Sequence, residues 1–324
     1  MKRILTGIQS TGTPHLGNIL GAIRPAIEMA KEESTSSYLF IADFHSLTQI
    51  KDAQTLKENT YQTAAAWLAF GLDPNKTVFY KQSSVPEVTE LTWYLMCFFP
   101  YQRLTLAHSF KDKADRLSDV NAGLFNYPLL MAADILLYDA HEVPVGKDQL
   151  QHLEITRDVA SKINNHFKEE LLILPTAKIQ EETQIIPGTD GEKMSKSKGN
   201  IINIFLPEKQ LRKQVMKIET DSIPLEEPKD PENCTVFKLY KAIAEASEAQ
   251  DLAQKYRGGN FGYGHAKQAL FELIMDKFQK ERAAFINMMD NKSTIDEVLN
   301  QGAEKARETA SKTLDRIRKK VGYR

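Results

Sequence analysis

Short apolar runs and helical stretches follow one another along the first part of the chain. Residues 3–9, 38–42 and 77–80 read as short apolar runs, which predicts three strands. Between them, residues 17–32 and 52–70 have the apolar spacing of amphipathic helices. Strands that alternate with helices form parallel sheets with crossover connections. The N-terminal part is therefore expected to be a doubly wound α/β domain.

Helical periodicity dominates after residue 204. Residues 236–246, 265–289 and 304–320 all place apolar side chains three or four positions apart. We therefore expect an α/β domain over residues 1–204, followed by an all-helical domain over residues 205–324.

Composition restricts the class of protein. The chain is 42% apolar and 26% charged, as globular proteins with a substantial core are. No apolar run approaches the roughly 20 residues of a membrane span, and the N-terminus lacks the pattern of a secretory signal. We expect a cytoplasmic protein without a membrane partner. The two cysteines, Cys97 and Cys234, lie too far apart in sequence for a CxxC pair, so no structural metal is expected.

The charge of the chain is uneven. The formal net charge is −1, but residues 303–324 carry eight Lys/Arg and three Asp/Glu, a net charge of +5. A basic segment of this kind predicts either contact with a polyanion or a solvated helix end with its cations near the C-terminus.

The first candidate chemistry lies between the first strand and the first helix, where residues 13–18 read TPHLGN. Backbone N–H groups and the helix dipole attract anions at such a place. Gly17 leaves room for a flat base, and His15 and Asn18 can both point toward phosphate oxygens. Taken alone, the hexapeptide is also typical of an ordinary loop before a helix.

The second candidate is the lysine-rich segment 192–200, EKMSKSKGN, which we call the lysine loop. Phosphoryl and nucleotidyl transfer depend on charge stabilisation, which Lys193 and Lys196 can supply to a pyrophosphate. A solvated basic turn would have the same composition.

Together and in this order, the two segments resemble the HIGH and KMSKS motifs of class I aminoacyl-tRNA synthetases. Residues 193–197 match the second motif letter for letter. Asn18 replaces the final histidine of the first motif, a variation that the tryptophan enzymes commonly show. The resemblance implies catalytic roles for His15, Asn18, Lys193 and Lys196. It also implies contacts with ATP from Gln9, Gly17, Met194 and Ser195 as well as from the two lysines.

The segment 127–138, YPLLMAADILLY, carries the information on the amino acid. On a helix, Tyr127, Met131 and Asp134 share one stripe. An indole has a single polar group, a donor N–H, so its pocket needs one acceptor and otherwise apolar, adaptable walls. Asp134 and Met131 supply both. A buried aspartate paired with a neighbouring cation would give the same spacing.

This segment resembles the tryptophan-binding helix of bacterial tryptophanyl-tRNA synthetases, in which the aligned aspartate accepts from the indole nitrogen. Tyrosine enzymes typically hold glutamine at the Met131 position, which suits a phenol. By the same resemblance, the residues around tryptophan are Leu5, Gly7, His45, Tyr127, Met131, Asp134, Val143, Val145 and Gln149. Lys111 is implied to approach the triphosphate, and Gly146 and Asp148 to contact ATP.

The resemblance implies a Rossmann-like catalytic domain over residues 1–204 and a tRNA anticodon-binding domain over residues 205–324. The implied activity is that of an AMP-forming tryptophan–tRNA ligase, which makes tryptophanyl-adenylate and transfers the acyl group to tRNA(Trp). Mg²⁺ would arrive with ATP, and the enzyme would be a homodimer.

Three alternatives remain. A tyrosine-specific synthetase is disfavoured by Met131. A non-catalytic paralogue that binds tRNA or tryptophan would have no reason to keep His15, Lys193, Met194 and Lys196 together. A small-molecule nucleotidyltransferase would not explain the helical residues 205–324.

Overall fold

The computed structural model describes residues 2–32, 34–106, 120–146, 149–179 and 185–323. Five strands form one parallel sheet in the order β3-β2-β1-β4-β5. The strands are β1 (Lys2–Ile8), β2 (Thr35–Ile41), β3 (Thr77–Lys81), β4 (Glu142–Val145) and β5 (Thr176–Ile179). This is the doubly wound order, and the predicted fold class is confirmed.

Helices cover the sheet and continue beyond it. In the N-terminal part they are α1 (Leu16–Asn18), α2 (Arg24–Ala30), α3 (Asp43–Leu47), α4 (Ala53–Ala69), α5 (Glu87–Phe98), α6 (Tyr101–Leu104), α7 (Ala122–Leu136) and α8 (Leu150–Phe167). After the lysine loop they are α9 (Glu208–Met216), α10 (Thr235–Lys241), α11 (Ala246–Gly258), α12 (Tyr263–Lys277), α13 (Gln279–Asp290) and α14 (Lys292–Val321). Among the residues that the structure describes, no helix is long and apolar enough to cross a membrane.

The three predicted strands are present, and β2 differs most from its predicted bounds. Strand β2 begins at Thr35, three positions before the apolar run, because Thr35 and Ser37 pair with Lys2 and Ile4 of β1. Parallel pairing uses the backbone, so polar residues can join a strand that an apolar pattern alone would shorten.

The first predicted helix is continuous but irregular. Between α1 and α2, residues Ile19–Ile23 form a π-helical stretch in which the N–H of Arg24 bonds to the carbonyl of Ile19. Pro25 follows directly and has no N–H for the regular pattern. The irregularity therefore lies directly after the candidate anion site. π-helical stretches inside α-helices are often found at functional sites.

Two predicted C-terminal helices are divided differently in the structure. Residues 265–289 form parts of α12 and α13, which meet at the fully buried Phe278. The predicted helix 236–246 ends at Lys241, and α11 begins after a short turn. Phe278 separates the two helices with φ −110° and ψ 16°, outside regular helical geometry, and apolar spacing alone does not show this break.

The last helix, α14, returns to the sheet. It packs along β3, and a methyl group on Gly302 would overlap the backbone carbonyl of Phe79. Its small and apolar face, including Ala306 and Leu314, belongs to the same core cluster as Leu5 and Tyr138. The division at residue 204 stays a prediction, and the packing places α14 directly on the edge strand of the sheet.

Four of the basic residues of α14 pair with acids far away in sequence, which neither expectation for that segment included. The pairs are Arg307–Glu87 at 2.9 Å, Arg316–Asp139 at 2.5 Å, Arg318–Glu90 at 2.5 Å, and Lys320–Glu169. Their charges therefore fasten α14 to the rest of the fold. Contact with a polyanion stays a prediction, and Arg318, Lys319 and Lys320 lie in the last turn of the helix.

Candidate active site

A cavity of about 520 Å³ opens at the carboxyl ends of β1 and β4. The strand order changes direction between these two strands, and ligands bind at such a point in open α/β sheets. Every residue predicted to surround tryptophan lines this cavity, together with Gln9 and Gly146 from the predicted ATP contacts. These residues are Leu5, Gly7, Gln9, His45, Tyr127, Met131, Asp134, Val143, Val145, Gly146 and Gln149.

Asp134 is the charged acceptor of the cavity. Its side chain is on α7 and the residue is 3% exposed. His45 Nε2 lies 2.9 Å from Oδ2, and the Gln82 amide nitrogen donates to Oδ1 and Oδ2 at 2.7 and 2.8 Å. Burial raises the pKa of Asp134, while the hydrogen bonds from His45 and Gln82 act against that shift. Asp134 is therefore hydrogen-bonded inside the protein and also lines the cavity.

The other walls of the cavity are mostly apolar. Met131, Val143 and Val145 line it, and the Tyr127 hydroxyl is bonded to Nε2 of His152 at 3.0 Å. At Gly7, a Cβ atom would lie 2.5 Å from the ring of Phe40, so a side chain there would displace that ring. One carboxylate in a mostly apolar cavity is the arrangement that a large aromatic ring with a single N–H donor requires.

His15 and Asn18 are bonded to each other. His15 Nδ1 accepts from the backbone N–H of Asn18 at 3.2 Å, and Asn18 Oδ1 accepts from the N–H of His15 at 3.2 Å. Burial, followed by the charge of Lys196, lowers the pKa of His15 to about 4. The ring is therefore neutral at neutral pH, and since Nδ1 accepts, Nε2 carries the hydrogen. Both residues keep a side-chain N–H to offer to an anion.

The lysine loop lies against the loop that contains His15. Lys196 Nζ donates to the carbonyl of Gly12 at 2.6 Å, and the N–H of Gly17 lies 3.3 Å from the sulfur of Met194. Burial lowers the pKa of Lys196 to about 8. Lys193 is exposed on the same loop. The two motifs, far apart in sequence, thus form one cluster of donors and cations.

Asn200 holds the lysine loop in shape. Its Oδ1 accepts from the N–H of Ser195 at 2.7 Å, and its Nδ2 donates to Asp190 at 2.7 Å and to the carbonyl of Lys193 at 3.2 Å. A Cβ atom at Gly188 would overlap Asn200. Sequence reasoning assigned no role to this asparagine, although it belongs to the lysine-loop segment.

Two predicted site residues, Lys111 and Asp148, lie outside the described residues. Their contacts with the triphosphate and the ribose stay predictions. Among the residues that are described, no group of three or more His, Cys, Asp or Glu side chains could hold a metal ion.

Comparison with known proteins places this site in a family. The family model for tRNA synthetases class I (W and Y) matches residues 1–279. The chain belongs to this family. It is 47% identical to a tryptophan–tRNA ligase of Fusobacterium nucleatum over 322 residues, which covers 99% of this chain and 98% of the relative.

Solved structures of synthetases agree with the assignment. A crystal structure of tryptophanyl-tRNA synthetase from Campylobacter jejuni, complexed with ADP and tryptophan, matches with a TM-score of 0.95 and 46% identity over 99% of each chain. A tyrosyl-tRNA synthetase of Archaeoglobus fulgidus complexed with L-tyrosine matches with a TM-score of 0.62 at 18% identity, covering 88% of this chain and 90% of that one. The second likeness shows the shared fold alone.

Sequence reasoning on this synthetase missed the residues behind Asp134. Gln82 directly follows β3, and its neighbour Ser83 donates from N–H and hydroxyl to the Asp43 carboxylate. Polar residues at the carboxyl end of a parallel strand were the available signal. The contact itself joins residues 52 positions apart, and no local pattern contains it.

Proposed function

We propose that this chain activates L-tryptophan with ATP and transfers it to tRNA(Trp), as an AMP-forming tryptophan–tRNA ligase. The observation that carries the proposal is the Asp134 carboxylate, buried in an otherwise apolar cavity that lies at the carboxyl ends of the strands. Family membership and the ligands of the Campylobacter jejuni relative support it.

In the first step, an oxygen of the tryptophan carboxylate attacks the α-phosphate of ATP, and pyrophosphate leaves with the electrons of the broken P–O bond. The products are tryptophanyl-adenylate and pyrophosphate. His15 Nε2 and Asn18 Nδ2 donate to phosphate oxygens, and Lys193 and Lys196 balance the charge on the leaving group. Lys111 adds a cation to the triphosphate. No protein nucleophile is required.

The same geometry supports the proposed ATP contacts. Gln9 and Gly146 lie in the cavity beside the tryptophan residues, and Gly17 and Met194 meet where the two motifs adjoin. Ser195 and Asp148 complete the proposed set.

We propose that Mg²⁺ enters with ATP. The described groups around the phosphates are N–H donors and lysines, which fit a triphosphate better than a bare cation. When bound, the ion neutralises phosphate charge.

In the second step, a hydroxyl of the terminal tRNA ribose attacks the activated carbonyl, and AMP leaves. The helical residues 205–324 receive the anticodon arm in this proposal. Such an enzyme acts in the cytoplasm.

A homodimer is part of the proposal. Large apolar side chains are exposed on α3, on α5 and α6, and close to both ends of the segment 107–119. They are Leu47, Trp93, Tyr101, Leu106 and Val120. A groove of about 380 Å³ beside them is lined by Phe44, Leu47 and Leu130, and Tyr127 borders both this groove and the tryptophan cavity. A second copy of the chain would cover this surface.

The tyrosine alternative has less support in the cavity. A phenol both donates and accepts, so it needs a second polar partner beside Asp134. Met131 stands at the position where the tyrosine enzymes typically hold glutamine, and its thioether cannot donate.

The test is amino-acid-dependent exchange of pyrophosphate into ATP, with tryptophan, tyrosine and phenylalanine side by side. Tryptophan is expected to support exchange, and the enzyme is then expected to charge a tRNA(Trp) transcript. Exchange that tyrosine supports better than tryptophan would contradict the proposal, and absence of exchange with every amino acid would favour a binding paralogue.

A further inference from the structure

Gln82 stands behind the cavity rather than in its wall. It begins a short 3₁₀ turn, Gln82–Ser84, directly after β3, and it is 1% exposed. It is not among the residues that line the cavity, so it has no direct contact to offer to the amino acid. Among the described residues, Asp134 is the one acidic side chain to which Gln82 is hydrogen-bonded.

The orientation of the Gln82 amide follows from its surroundings. Its Oε1 accepts from the backbone N–H of Phe44 at 3.1 Å, and a backbone N–H can only donate. The oxygen must therefore face Phe44, which leaves the amide nitrogen toward Asp134. In this way the backbone of α3 fixes a donor against the carboxylate.

The hydrogen bonds leave the two carboxylate oxygens unequal. Oδ2 of Asp134 meets both His45 Nε2 and Gln82 Nε2, whereas Oδ1 meets Gln82 alone. A carboxylate offers about two acceptor positions per oxygen. Counting the described residues, Oδ1 carries one hydrogen bond fewer than Oδ2 and therefore has an acceptor position left for a further donor.

We propose that Gln82 is a positioning and specificity-determining residue that keeps Asp134 ionised and presents its Oδ1 to the ring N–H of the amino acid. The inference rests on the proposed function and names the group that makes the cavity selective for a ring with an N–H. Without the Gln82 amide, His45 is left as the one described hydrogen-bond partner that opposes protonation of the buried carboxyl group. A protonated Asp134 would present an O–H to an N–H, and two donors cannot bond.

Two near-isosteric variants separate this role from a purely structural one. Gln82→Met removes the donor and keeps the volume. We expect kcat/KM for tryptophan to fall by about 10- to 100-fold, mainly through KM, because a hydrogen bond to a charged group is lost. The loss is expected to shrink as the pH rises from about 6 to about 9, since Asp134 must be ionised to accept.

Gln82→Glu is expected to show the opposite pH dependence. Two carboxyl groups in contact share one proton, so at low pH the new side chain can donate to Asp134 as the amide did. As the pH rises, that proton is lost and two buried charges face each other. KM for tryptophan is therefore expected to rise with pH in this variant, with KM for ATP unchanged in both.

Ser83→Ala is the matched control. It removes a hydroxyl that bonds to Asp43 from the same turn and leaves both hydrogen-bond partners of Asp134 in place. The charge of Asp43 raises the pKa of Asp134 and is the weakest of the influences on that group. We expect it to keep the wild-type pH profile, and urea unfolding of all variants reports whether each is folded. Equal losses at every pH in both Gln82 variants, or losses no larger than that of Ser83→Ala, would overturn the inference.

Failure of the proposed function has a different signature. Wild-type exchange supported by tyrosine instead of tryptophan would overturn the substrate assignment while the two Gln82 profiles, measured with tyrosine, would still report on Asp134. If Gln82→Met does not fold, the pH profile of Gln82→Glu decides alone: a KM for tryptophan that rises with pH supports the role, and a flat profile overturns it.

Discussion

The tryptophan cavity and the lysine-loop cluster use opposite electrostatic designs. In the cavity, Asp134 is buried and forms hydrogen bonds with His45 and Gln82. In the cluster, Lys196 is tied to a single backbone carbonyl, and Lys193 is exposed. The acceptor of the cavity is fixed by hydrogen bonds to its own carboxylate, whereas the cations of the cluster extend from a loop whose backbone Asn200 holds in shape.

The difference corresponds to what the proposed function requires the cavity and the cluster to bind. A neutral ring is selected by shape and by one hydrogen bond, so its acceptor has to be fixed in advance. A triphosphate changes charge distribution during the reaction, so its partners have to act where charge develops. Lowered pKa values of His15 and Lys196 fit a cluster that gains its full charge when an anion enters.

The largest expected effect tests the cavity. Phenylalanine has no N–H and would leave the buried Asp134 carboxylate without a partner, so its kcat/KM in pyrophosphate exchange is expected to be about 10⁴-fold below that of tryptophan. The measurement needs phenylalanine freed of traces of tryptophan. A difference of less than about 100-fold would mean that the carboxylate is not what selects the ring.

The next effect tests the cluster. Lys196→Ala removes a cation from the leaving pyrophosphate, and kcat for exchange is expected to fall by about 10²- to 10³-fold while tryptophan binding is kept. Lys198→Ala is the matched control on the same loop, because Lys198 is exposed and lies 4.0 Å from Glu192. Equal losses in both variants would indicate a general effect of loop charge.

A stability measurement tests the support behind the cavity. Gly302→Ala would force a methyl group into the backbone of β3, the strand that leads to Gln82, and is expected to lower the free energy of unfolding by about 1–3 kcal/mol. Gly264→Ala is the control, since it meets no atom and is expected to stabilise by about 0.4–1 kcal/mol. Urea unfolding midpoints report both. An unchanged free energy of unfolding in Gly302→Ala would mean that α14 is held loosely on the sheet.

The smallest expected effect is a pH dependence of the cluster. The pKa of Lys196 is lowered to about 8, so its charge is present below that pH and is lost as the pH rises through it. The value of kcat/KM for ATP is expected to fall by up to about tenfold between about pH 7 and about pH 9. Lys196→Arg keeps its charge and should remove this decline. An unchanged decline in that variant would assign it to another group.

The sequence predicted those features that local spacing determines. The stripe of Tyr127, Met131 and Asp134 follows from helical periodicity, and all three line the cavity. Strands β1 to β3 follow from apolar runs. Strands β4 and β5 have only four residues each and carry little pattern of their own.

What escaped prediction depends on contacts between distant residues. Gln82 and Asn200 act through hydrogen bonds across turns, and their own surroundings in sequence look like ordinary loops. The cations of α14 looked free because their partners, such as Glu87 and Asp139, come from elements far upstream. These roles depend on contacts that the tertiary fold creates, and a single sequence does not show those contacts.

The contact between Phe79 and Gly302 also bears on how the chain is made. Strand β3 is the exposed edge of the sheet until α14 covers it, and α14 is the last helix of the described chain. During synthesis from the N-terminus, this edge stays open while most of the polypeptide emerges. Closure of this edge thus waits until residues far downstream of β3 have been made, and a stalled ribosome would leave an unpaired strand exposed to neighbouring nascent chains.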